Sequence, residues 1–116
     1  MRGDEKRVVD AFCAYLKSDG WSVQREVAFC DVVAQRLGET MYCEAKGRTS
    51  DVGTDVDTLF GQLLRRMKEV AEPGDSYAVV VPAEAEASVL RVPARVREAL
   101  RIQVFVVTAD NDVEAR

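Results

Sequence analysis

The sequence has no histidine among its 116 residues. That absence removes Ser-His-Asp and Cys-His nucleophilic catalysis, imidazole general bases and the commonest transition-metal ligand together. Cysteine is sparse: Cys13, Cys30 and Cys43 are odd in number, far apart and without a Cys-x-x-Cys spacing. Neither a disulfide framework nor a zinc site is suggested, and the three read as small core hydrophobes. No apolar run approaches the roughly 18 to 20 residues that cross a bilayer. The charged start Met1-Arg2-Gly3-Asp4-Glu5-Lys6 is not followed by a signal-like apolar stretch, so a cytoplasmic protein is expected. Positive charge is also in short supply. The net charge of −4 argues against a generic nucleic-acid coating protein, which neutralises phosphates with Lys and Arg. What remains is carboxylate, lysine and hard-cation chemistry. The chain has the size of a single domain, 1–116, with one core.

Periodicity gives the organisation. Over 4–18 the apolar residues Val8, Val9, Phe12, Tyr15 and Leu16 recur at helical spacing, and Asp19-Gly20 closes the helix. Residues 22–29 alternate, with Val23, Val27 and Phe29 on one face. A second extended run covers Val32, Val33 and Ala34, and a third covers 40–46 after a Gly38-Glu39 turn. A polar loop, 47–53, leads to a helix capped by Thr54 or Asp55. Its stripe is Val56, Leu59, Phe60, Leu63, Leu64, Met67 and Val70, and it stops before Pro73-Gly74. Residues 77–81 read as a central strand covered on both faces. A short helix at 93–100 and a strand at 102–107 follow, and the polar residues from Ala109 onward are expected to fray. The order αβββαβαβ predicts an α/β fold, a mixed sheet flanked by helices.

The segment from Cys30 to Lys46 carries the chemistry. Side chains on a strand alternate, so Glu44 and Lys46 share a face while Cys43 and Ala45 occupy the other. With a two-residue turn at Gly38 and Glu39, Leu37 lies opposite Thr40 and Asp31 opposite Lys46, and directly paired residues project to one side. Asp31, Glu44 and Lys46 then converge, two carboxylates and an ammonium. Such a patch can hold a divalent cation and aim a water at a phosphate.

Asp-x12-Glu-x-Lys on a hairpin, after an amphipathic helix and before a helix carrying Gln62, resembles the PD-(D/E)XK superfamily of restriction-endonuclease-like nucleases. Small Holliday-junction-resolvase-like and Mrr-like members are nearest in size. The resemblance covers roughly the first 80 residues in order and spacing, and Cys30 stands where the pattern usually has Pro. It implies a restriction-endonuclease-like sheet and a Mg2+-dependent deoxyribonuclease, an endonuclease acting on DNA. Asp31, Glu44, Lys46 and Gln62 would be catalytic, with Mg2+ or Mn2+ held by Asp31, Glu44 and the Ala45 backbone carbonyl. Glu5 is the candidate acidic helper on the first helix, where Asp4 and Asp10 compete for the role and where an acid equally complements the helix dipole.

Arg48, Arg65 and Arg66 are the candidate DNA contacts, within a wider set that includes Arg95, Arg97 and Arg101; Arg65 and Arg66 are also readable as solvated charges on the helix face. Gln62 either faces the carboxylates or satisfies a backbone group at the edge of the stripe, and Trp21 and Tyr42 read as packing. So small a chain has little surface for reading sequence, which favours selection of DNA structure or a protein partner supplying specificity. A homodimer is the simplest source of two active centres. The contrasting expectation is a catalytically inactive module of the same fold that binds DNA or a protein partner, with the three charged residues as a salt-linked patch.

Overall fold

The computed structural model describes residues 3–48 and 51–116. One helix, α1 (Gly3–Ser18), precedes three strands, β1 (Ser22–Val27), β2 (Cys30–Arg36) and β3 (Glu39–Ala45). Helix α2 (Val52–Arg65) leads to β4 (Asp75–Pro82). A 3-10 turn (Ala83–Ala85), α3 (Glu86–Val89) and α4 (Ala94–Ala99) then precede β5 (Ile102–Val107) and β6 (Val113–Ala115). The strands form one mixed sheet in the order β1-β2-β3-β4-β5-β6. β3, β4 and β5 run parallel and the outer pairings are antiparallel.

Alternation along the strands divides the core in two. Val32, Ala34, Met41, Cys43, Ala45, Ala78 and Val80 pack under Val8, Val9, Phe12 and Leu16 of α1. Tyr77, Val79, Val81, Val104 and Val106 pack under Val56, Leu59 and Leu63 of α2 and Val89 of α3. β4 is therefore buried on both faces, as its unbroken apolar run requires. The three cysteines are free and buried. Among the described residues no helix is long and apolar enough to cross a membrane.

Several boundaries differ from the sequence reading. β1 stops at Val27, and Ala28 and Phe29 form a turn with φ of 52° and 61°. That leaves Phe29 at the tip rather than on an inward face. Asp51, not Thr54 or Asp55, caps α2, its Oδ1 accepting the Thr54 amide at 3.2 Å; residues 49–50 of the preceding loop lie outside the described residues. The helix ends at Arg65, so Val70 falls beyond its buried stripe and is exposed. The segment after Ala109 is not wholly frayed, because Val113 pairs with Val107 and Ala115 with Phe105. A polar surface strand on a sheet edge lacks the apolar alternation by which strands are recognised.

The β2-β3 register also differs. Arg36 faces Glu39, and the turn is Leu37-Gly38, with φ of 43° and 82°. Both central residues of a type I′ hairpin turn need positive φ, which glycine adopts freely and leucine does not. Leu37 is 98% exposed and contributes no burial in return. Leu37→Asn, which creates the favoured Asn-Gly pair, is expected to stabilise the fold by about 1 kcal/mol. Urea unfolding at neutral pH reads this as a higher midpoint with unchanged slope.

Candidate functional site

The register places Val32 opposite Cys43 and therefore Asp31 opposite Glu44, not opposite Lys46. The displacement is two residues along β3, and side chains repeat every two, so the shared face survives. Both acids stand on the α2 side of the sheet with Tyr42 and Val79, away from the α1 core. The Ala45 amide donates to Asp31 Oδ2 at 2.8 Å, which fixes the Asp31 side chain across the strand pair.

Glu44 is only 3% exposed. Burial first, and then the Asp31 carboxyl hydrogen-bonded and charged beside it, push Glu44 up to about 7 from the 4.5 of a free glutamate. Arg66 pulls the other way, its Nε donating to Glu44 Oε1 at 3.0 Å. Lys46 continues the same face at the end of β3, and its Nζ lies 3.9 Å from Asp55 Oδ1. Its amide donates to Val80 O at 3.0 Å, which keeps the end of β3 tied to β4.

Helix α2 supplies both partners from one stripe. Asp55, Leu59, Gln62 and Arg66 follow one another at intervals of three or four, so they lie along one flank of the helix and its last turn. Asp55 reaches Lys46 and Arg66 reaches Glu44. Gln62 occupies that flank between them and is exposed. Sequence reasoning misses Asp55 and the inward role of Arg66; their spacing about Gln62 is the available signal.

The remaining candidates are spread more widely. Glu5 is half-buried in the first turn of α1, and its backbone abuts Gly47, directly after Lys46. The Arg48 amide donates to Asp4 Oδ2, and its guanidinium lies 3.7 Å from Glu84. Arg65 is exposed. Arg66, a candidate DNA contact by sequence, has its side chain turned onto Glu44 and over the Phe29 ring, with 5.9 Å from Cζ to the centroid. Trp21 is buried beneath the Arg36 guanidinium, and Tyr42 stacks on Tyr77. Burial, followed by the charge of Glu44, raises the adjacent Cys30 thiol to about 11, so it is no nucleophile near neutral pH.

Among the described residues no group of three or more Cys, Asp or Glu side chains forms a cage for a metal ion. The opposed carboxylates of Asp31 and Glu44 fit a smaller demand. Magnesium keeps several waters and is commonly bound through one or two carboxylates plus substrate phosphate. Two acids forced together, one of them holding its proton toward neutrality, form a patch whose repulsion a divalent cation would relieve.

No protein-family model matches the sequence, and no curated protein does. Solved structures do. An XisH family protein from Nostoc punctiforme PCC 73102 aligns with a TM-score of 0.62 at 16% identity, over 93% of this chain and 96% of that one. An fdxN element excision controlling factor protein from Anabaena variabilis aligns with a TM-score of 0.64 at 18% identity, over 94% and 96%. At these identities the likeness is one of fold, an α/β architecture with helices flanking a mixed sheet.

Proposed function

We propose that the chain is a metal-dependent endonuclease of restriction-endonuclease-like fold that hydrolyses DNA phosphodiester bonds. The observation that carries this reading is the opposition of Asp31 and Glu44 on adjacent strands, with Lys46 two residues further along the same face. Mg2+ or Mn2+, held by Asp31, Glu44 and the Ala45 carbonyl, would supply positive charge to the attacked phosphate and lower the pKa of a bound water. Asp31, held through Oδ2 by the Ala45 amide, is preset for that role. Lys46, kept at the end of β3 and steadied by Asp55, orients the attacking water and offsets charge developing on the phosphate. Gln62, on the flank of α2 that serves both charged pairs, would contact the same water or phosphate. Arg48 and Arg65 are the cations that would meet the DNA backbone.

Calorimetric titration tests the reading. Mg2+ or Mn2+ is expected to bind the wild-type chain at millimolar concentration and to give no heat with Asp31→Asn. Cleavage of flapped or branched DNA is expected to fall by about 100-fold or more in Lys46→Ala, the scale set by removing one transition-state donor. Absence of cation binding to the wild type, or full cleavage by Lys46→Ala, overturns it.

One observation favours a second reading. The Arg66 bond to Glu44 already gives that buried carboxylate a cation, so the patch also suits a catalytically silent module that binds DNA or a protein partner. The description of one neighbour as an element excision controlling factor accords with such a module acting beside another enzyme. The titration separates the two.

A further inference from the structure

Phe29 has features that its own turn does not explain. It occupies the tip between β1 and β2, is 89% exposed, and sits at a φ of 61°, next to Ala28 at 52°. A turn of this geometry favours Asn and Gly at both positions. The chain instead places a large apolar ring in the left-handed region and leaves it in water. Neither choice stabilises the fold; Leu37 shares this pairing of positive φ and exposure, so what singles Phe29 out is its ring and its surroundings.

Its surroundings point to a ligand class. Phe29 precedes Asp31 by two residues, about 7 Å of extended chain. The Arg66 guanidinium lies 5.9 Å from the ring centroid while its Nε bonds to Glu44, so ring, cation and the two carboxylates occupy one corner of the sheet. The other fully exposed hairpin residue, Leu37, lies at the far end of β2 and has no π-face to offer. An exposed aromatic ring beside a fixed cation is suited to stacking on a nucleobase whose phosphate lies against the cation. Stacking needs no excess of positive charge on the whole chain, which matters at a net charge of −4. A base inside a duplex is already stacked on its neighbours, so only an unpaired base is available to the ring.

We propose that Phe29 is a specificity-determining residue that stacks on an unpaired nucleobase within one or two nucleotides of the scissile phosphate. The substrate class is therefore DNA carrying a flap, bulge or single-stranded end. This inference rests on the nuclease reading for its scissile phosphate.

Binding and cleavage are measured in parallel. In EDTA, fluorescence anisotropy compares a perfect duplex with an otherwise identical duplex carrying one bulged 2-aminopurine. The wild type is expected to prefer the bulged DNA by about tenfold, the scale of one base stacked on an aromatic ring. Phe29→Ala is expected to bind both DNAs alike, and Phe29→Trp to keep the preference. Quenching of 2-aminopurine on binding is expected with the wild type and Phe29→Trp and not with Phe29→Ala. A Phe29→Ala chain that keeps the preference and the quenching overturns the proposal, as does a wild type with no preference. A Phe29→Ala chain that only loses self-association in sedimentation also overturns it, in favour of a contact between copies. Metal-dependent cleavage abolished by Asp31→Asn, with binding unaffected by Phe29→Ala, sinks the stacking role and leaves the nuclease standing. A preference lost in Phe29→Ala without any cleavage by the wild type supports the stacking and sinks the nuclease.

Discussion

Glu44→Gln is expected to make the metal-free protein more stable at pH 8, to leave its stability nearly unchanged at pH 4, and to remove its response to divalent cations. Glu44 has its folded value raised to about 7 from 4.5 by burial and by Asp31. Between those values the folded chain holds a proton that the unfolded chain has released, so stability falls as pH rises. The contribution is fully present below pH 4.5 and gone once pH passes about 7. At about 1.4 kcal/mol for each pH unit across that window, the loss is about 3 kcal/mol. Glutamine has no proton to lose and keeps a carbonyl oxygen for Arg66. For a domain of this size the gain at pH 8 corresponds to a melting temperature about 10 °C higher. Circular dichroism melts from pH 4 to 8 in EDTA are expected to show a decline for the wild type and a flat course for the variant across that window. Mg2+ is then expected to restore the wild type at pH 8 by mass action and to do nothing for Glu44→Gln. Parallel wild-type and variant curves would show that the two carboxyls do not contend for a proton.

The second large effect concerns Gly47, directly after Lys46. A Cβ built there falls 2.8 Å from the Cα of Glu5 and closer still to its amide nitrogen, both backbone atoms that no rotamer change can withdraw. Gly47→Ala must therefore push the first turn of α1 away from the end of β3. Overpacking of this kind costs about 1 to 3 kcal/mol, and the upper end is expected because main chain meets main chain. The melting temperature should fall by roughly 10 °C. The displacement also loosens the end of β3 that carries Glu44 and Lys46, so affinity for Mg2+ is expected to weaken although no ligand has changed. A melting temperature within about 2 or 3 °C of wild type, by the same relation, would mean that helix and strand ends separate at little cost.

The layers are legible in the sequence because the two periodicities are clean. α1 repeats at helical spacing, and β4 is so uniformly apolar that only a strand covered on both sides accommodates it. The shared face of Asp31 and Glu44 is also legible, since an even displacement of register leaves faces unchanged. The turn is not. Glycine suggests itself as its first residue, when it is the second and Leu37 accepts the unfavourable φ before it. The end of α2 reads too long because Met67 and Val70 prolong its apolar spacing, although the helix terminates at Arg65 and Val70 is exposed. Asp55 and Arg66 are hidden for a different reason. Each is an ordinary surface residue by its own environment in the sequence and acquires a partner only when α2 lies across the sheet, bringing Asp55 to Lys46 and Arg66 to Glu44, 22 positions earlier.

The hairpin that opposes Asp31 and Glu44 obeys a rule of parity. Removing or adding an even number of residues between them moves the acids along the sheet without turning either over. An odd change made inside β2 or β3, with the turn kept, sends one of them among Val8, Phe12 and Leu16, where a carboxylate has neither water nor a counter-ion. Length variants made within the strands should therefore divide sharply, with even changes tolerated in graded fashion and odd ones strongly destabilising, whereas an extra residue in the turn itself is taken up as a longer loop.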